Sequence, residues 1–163
     1  MSNNKAFTKE IRGQRNKNPF NIKRSDSNCW IGKIVQSDGS FALDKDFEVF
    51  DSFVYGVRAG MYLLCKYIFD YNVSSLESLI HRFCPDGAVI EANYCRFIRD
   101  YTQYSFNDLP EISYPHFVKL CRAICMFESS YKIPDNVVNL AFSILPSRYK
   151  DMFNSILRKD EKI

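Results

Sequence analysis

The sequence predicts an α+β fold that is mostly helical, with a small antiparallel β-region beside a helical body. Three observations carry this. Residues 29–50 hold short apolar runs separated by turn signals, as strands do. From residue 51 onward, apolar residues recur at helical spacing between capping and proline signals. Ahead of both lies a polar stretch, Arg12-Gly13-Gln14-Arg15-Asn16-Lys17-Asn18-Pro19-Phe20-Asn21-Ile22, with little apolar surface to bury. Asparagine amides both donate and accept, and tolerate left-handed turns, while Pro19 biases Asn18 away from helix. The stretch reads as a shaped polar loop lining a cleft.

Taken in order, residues 1–11 are polar, with Phe7 and Ile11 spaced for one or two helical turns ending before Gly13. Cys29 to Val35 reads as a strand. Ser37-Asp38-Gly39-Ser40 is a turn, Phe41-Ala42-Leu43 returns, and Phe47-Glu48-Val49-Phe50 alternates as a half-buried strand does. Asp51-Ser52 then caps a helix reaching about Tyr71. Ser74-x-x-Glu77 is a capping box for a helix through Phe83, and Pro85-Asp86-Gly87 ends it. A further helix covers Val89–Gln103. Ser113-x-Pro115, Pro134-Asp135 and Pro146-Ser147 open three more.

The 163 residues fit one domain over 11–163, preceded by a basic segment at 1–10. Hydrophobic content of 46% and aromatic content of 15% suffice for a core. The net charge is only +3, yet residues 1–24 carry seven basic side chains against Glu10 alone. That asymmetry suits an anionic partner or, for Lys5 and Lys9, a solvated terminus. Six cysteines without a C-x-x-C pair sit mostly among apolar neighbours, as reduced, buried thiols do. The polar N-terminus predicts no signal peptide, and no apolar run reaches membrane-spanning length.

The order of motifs is specific. Arg12-Gly13-x-Arg15-Asn16-x-Asn18-Pro19-x-Asn21-Ile22 is followed by Trp30-x-Gly32, Phe47-x-x-Phe50-Asp51-Ser52, Tyr55-Gly56-Val57-Arg58-Ala59, Ile80-x-Arg82-Phe83-Cys84-Pro85 and Asn93-Tyr94. Over residues 11–133 this resembles a family of bacteriophage and prophage proteins, from Bacteroides-type bacteria among others, labelled virion structural proteins. Asn18-Pro19-Phe20-Asn21-Ile22-Lys23, Trp30-x-Gly32, Phe47-x-x-Phe50-x-Ser52 and Asn93-Tyr94 are also more distantly similar to peptidoglycan glucosaminidases of lysozyme-like fold. The resemblance implies a lysozyme-like domain made in the bacterial host cytoplasm and acting in the virion or at the cell wall. Its expected partners are cell-wall glycan and other virion proteins. The expected function is binding and degradation of peptidoglycan by a glycosidase or lytic transglycosylase, without a cofactor. The alternative is a non-catalytic virion structural protein that uses the same cleft to grip a partner protein. The chain departs from the glucosaminidases in one respect: their catalytic Glu lies upstream in a Glu-Ser-Gly-type motif, whereas here the upstream carboxylate is Glu10.

Glycoside cleavage needs a carboxylic acid for the leaving oxygen. Glu10 beside the polar loop is the first candidate, against the reading of an exposed Glu pairing with lysines. Glu48 is the second, against the solvent face of a strand. Asp51 reads as a cap. Glu128, between Phe127 and Ser129, is most simply solvated at its helix end, against the reading that it reaches a cleft. Arg12, Asn16, Asn18, Asn21, Tyr55, Arg58 and Tyr94 are the candidate binding residues; the asparagines serve equally to fasten their own turn. Trp30 stacks on a sugar ring or packs in the core. His116, Cys121 and Cys125 lack a second ligand cluster, so no metal site is expected. The basic segment is short and carries no known reading module, so nucleic acid is not an expected partner.

Overall fold

The computed structural model describes residues 11–35 and 44–160. Its elements are α1 (Arg12–Arg15), α2 (Phe53–Cys65), a π-helical turn (Lys66–Asp70), α3 (Leu76–Phe83), α4 (Ala88–Thr102), a 3-10 turn (Leu109–Glu111), α5 (Tyr114–Ser129), α6 (Asp135–Ser143) and α7 (Ser147–Asp160).

The helix starts follow from local chemistry. Ser75 Oγ accepts the Ser78 amide and Ser113 Oγ accepts the His116 amide, each satisfying an amide that the first turn leaves unpaired. Pro115 sits in the first turn of α5, where a missing N–H costs nothing. Gln103 and Ser130 end α4 and α5 in the left-handed conformation.

The expected α+β class is not what forms. Among the described residues there are no strands, only two isolated antiparallel bridges, Lys23 with Phe47 and Lys33 with Phe50. The segment around Phe47–Phe50 divides its backbone bonds among three neighbours instead of building a ladder. Glu48 N donates to Ile22 O, Phe50 N to Asn16 O, and Asp51 N to Gly32 O, while Ile34 N donates back to Val49 O. Residues 29–35 bend as well: Gly32 has φ +76 and Lys33 N closes a turn onto Trp30 O. The described residues are therefore all-helical with an irregular, hydrogen-bonded flank. The expected turn at 37–40, the return at 41–43 and the expected N-terminal turn at 1–10 lie outside the described residues.

The flank is anchored on α2 by two glycines one turn apart. A Cβ on Gly56 would lie 1.9 Å from Lys17 O, and one on Gly60 would lie 2.1 Å from the Phe20 ring. Only bare backbone lets the polar loop and Phe20 seat here. Beneath them α2 packs on α6, and α4 packs on α3 and α5. Phe20, Met61, Leu64, Ile80, Tyr94, Phe117 and Ile124 are among the residues that form the shared core. At the far end Tyr149 and Arg148 of α7 both bond Asp70 of the π turn, at 2.7 and 2.9 Å.

Candidate functional site

Two asparagines of the polar loop tie it to its own flank, and a third turns toward α5. Asn18 is fully buried. Its Nδ2 donates to Ile22 O and Glu48 O, and its Oδ1 accepts Ile22 N, all at 3.0 Å. Asn16 is buried too and donates to Asp44 Oδ2 at 2.8 Å. Both asparagines are spent on holding their own loop to the 44–50 segment. Asn21, at φ +50, is turned the other way. Its Nδ2 donates to Glu128 O at 3.0 Å and to Glu128 Oε2 at 3.2 Å.

That contact joins the loop to the C-terminal end of α5. Gln14 Nε2 caps the same end by donating to Ser129 O at 2.8 Å. Gly13 lets the chains meet, since a Cβ there would lie 1.7 Å from Ser129 Oγ. From α4, the Tyr94 hydroxyl donates to Glu128 Oε1 at 3.1 Å, and the Tyr94 ring stacks on Phe127 with centroids 3.8 Å apart. Glu128 is thus gripped on both carboxyl oxygens by two neutral donors from different parts of the chain.

Glu128 opens onto a cleft of about 350 Å³. Arg12, Asn21, Lys23, Asn28 and Asp86 supply polar lining; Trp30, Phe47, Tyr67 and Phe83 supply aromatic lining. The Arg12 guanidinium lies over the Phe47 ring, 3.8 Å from its centroid. Two buried polar atoms of this lining, Asn21 Oδ1 and Trp30 Nε1, have no hydrogen-bond partner. Cys84 donates its thiol to Asp86 at 2.9 Å, and burial first, then that bond, pushes its pKa up to about 12.

Burial raises the Glu128 carboxyl above the ordinary carboxylate value. The bonds from Asn21 and Tyr94 pull it down, the Asp86 charge pushes it up, and Arg12 pulls it down again. Its place in the last turn of α5 also sets it at the negative end of the helix dipole, where a second negative charge is disfavoured. A carboxylic acid biased toward its protonated form, in a cleft with aromatic walls, is equipped to hand a proton to a ligand oxygen.

The other expected site residues fall elsewhere. Glu48 is 1% exposed: its Oε1 pairs with Lys33 Nζ at 3.0 Å and accepts Ser25 N at 3.0 Å. It clamps the flank from within. Tyr55 packs against Gly32, and Arg58 donates to Ile144 O at 3.1 Å, tying α2 to the end of α6. Glu10 lies outside the described residues. Of the expected binding residues, Arg12 and Asn21 line the cleft and Tyr94 supports its carboxyl. Residue patterns did not single out Tyr67 or Asp86, which reach the cleft only through the fold. Cys121 and Cys125 are buried among apolar neighbours, while His116 stacks on Tyr104 and bonds Ser113 at the start of α5. Among the described residues no group of His, Cys, Asp or Glu is placed to hold a metal ion, and no helix is long and apolar enough to cross a membrane.

Over 105 residues the chain is 34% identical to Protein P5 of Pseudoalteromonas phage PM2. The match covers 64% of this chain and 64% of that phage protein, so the chain spans just under two thirds of its relative. No protein-family model matches. The chain is similar to a bacteriophage protein.

Proposed function

We propose that this is a phage protein that binds bacterial cell-wall glycan in the Glu128 cleft and cleaves it, with Glu128 as the general acid. The observation that carries the reading is the Glu128 carboxyl itself. It is largely buried, raised in pKa, held by Asn21 and Tyr94, and directed to an aromatic cleft. Its proton passes to the glycosidic oxygen as the bond from that oxygen to the anomeric carbon breaks. The resulting carboxylate takes a proton back from the attacking group. Water as attacker yields a reducing end; a hydroxyl of the same sugar yields an anhydro end. A single acid suffices when the substrate's own acetamido or hydroxyl group stands in for a second carboxylate. Trp30 and Phe47 are the aromatic residues of the cleft lining against which sugar rings would lie.

Digestion of purified Gram-negative cell walls, with the soluble products read by mass spectrometry, tests this. New reducing or anhydro ends are expected. Wall binding without new ends, where a control lysozyme works, would favour a virion component that grips the wall or a partner protein without cutting.

A further inference from the structure

We propose that Tyr67, Tyr71, Lys66 and Arg82 form a second subsite, continuous with the Glu128 cleft, that takes a carboxylate-bearing group of the bound strand. The inference rests on the glycan reading above and narrows it: the cleft selects an acidic strand over a neutral polymer of the same amino sugar.

Tyr67 is the shared piece. It lines the Glu128 cleft, and its ring stacks on Tyr71 with centroids 6.2 Å apart and an interplanar angle of 27°. Tyr71 is 48% exposed, so the aromatic floor runs from the cleft to solvent. The π turn sets this direction, because Tyr71 N bonds Lys66 O five residues back. π turns of this kind recur at functional sites. The Arg82 guanidinium, one residue before the cleft-lining Phe83, lies 5.1 Å from the Tyr67 centroid and 4.5 Å from that of Tyr71. Lys66 Nζ lies 5.8 Å from the Tyr71 centroid.

What packing leaves unexplained is the charge. Among the described residues, neither Lys66 nor Arg82 pairs with a carboxylate, whereas Arg99, Arg122 and Arg148 each do. The acids beside Arg82 are engaged elsewhere: Glu77 with Arg99 and Glu91 with His81. A guanidinium beside aromatic rings and without a carboxylate partner keeps N–H groups that can bind a carboxylate through two parallel bonds. Lys23 adds a third cation on the cleft lining. Carboxylates on a peptidoglycan strand, from the stem peptide or, where the stem is absent, from the lactyl group, match this arrangement; a chitin oligomer has none.

The test uses the full chain carrying Glu128→Gln, which should bind without cutting. Three probes are titrated: a peptidoglycan tetrasaccharide with free carboxylates, the same strand amidated, and chitotetraose. The free-acid strand should bind about tenfold tighter than the amidated one, as one charge-assisted pair supplies. Adding Arg82→Gln and Lys66→Gln should abolish that preference, bringing the affinity for the free-acid strand down to that for the amidated one, with Arg82→Lys in between. Equal affinity for the free-acid and amidated strands, or a preference that survives both substitutions, overturns the subsite and leaves the cleft reading standing. Failure to bind any of the three strands by a protein of native circular dichroism overturns both. Arg82-dependent binding of a single-stranded oligonucleotide without any strand binding also overturns both.

Discussion

At the residue scale, Glu128 and Asn18 show how similar polar groups acquire opposite duties. Asn18 has no exposure and bonds three backbone groups, so its amide is part of the fold. Asn18→Ala leaves those buried groups unpaired and should cost about 2–4 kcal/mol in chemical denaturation. Glu128 works against the fold when ionised. Its folded-state pKa lies above that of an unfolded Glu, so folding takes up a proton and stability falls as pH rises from the unfolded value through the folded one. Glu128→Gln cannot ionise. The melting temperature of the variant relative to wild type should therefore climb as pH rises above the ordinary glutamate value; a flat difference would mean the carboxyl is not raised. With Glu128 as the proposed general acid, cleavage would need the protonated form and should decline along the same limb.

At the element scale, the helices were legible because their boundaries are written in local chemistry. Ser113-Tyr114-Pro115 opens α5 and Pro146-Ser147 opens α7 whatever surrounds them. The flank was not. Phe47-Glu48-Val49-Phe50 does alternate, but Glu48 and Phe50 are the buried pair, with Glu48 turned inward to Lys33. A sequence shows a period; it does not show that a charged residue sits on the buried side with a partner fifteen positions away. The site was legible in part for the same reason. Arg12 and Asn21 belong to an odd polar stretch, whereas Glu128 looks like any carboxylate at a helix end until Asn21 and Tyr94 are brought to it. The two glycines of α2 set how closely the flank docks. Gly60→Ala puts a methyl group into the Phe20 ring and should cost about 1–3 kcal/mol by thermal or chemical denaturation. Because Asn21 follows Phe20 directly, the same change should also weaken glycan binding.

At the scale of the whole molecule, a helical body carries an irregular flank, and the cleft lies where the flank meets α2, α3 and α5. Two cations of the N-terminal stretch, Arg12 and Lys23, line the cleft, and Arg82 lies beside the cleft-lining Tyr67. Attraction of an acidic strand to this face is partly screened by salt. Binding of free-acid peptidoglycan fragments should weaken between 20 and 200 mM salt more than binding of amidated fragments, as titration would show.

The most direct test of Glu128 as the acid is wall digestion by wild type, Glu128→Gln and Glu48→Gln in parallel, with new reducing and anhydro ends counted by mass spectrometry. Glu128→Gln should lower the cleavage rate about 100-fold or more while the protein still binds walls. Glu48→Gln, a change to the inner clamp, should lower stability and leave the rate of the folded fraction near wild type. Full activity in Glu128→Gln would contradict the assignment.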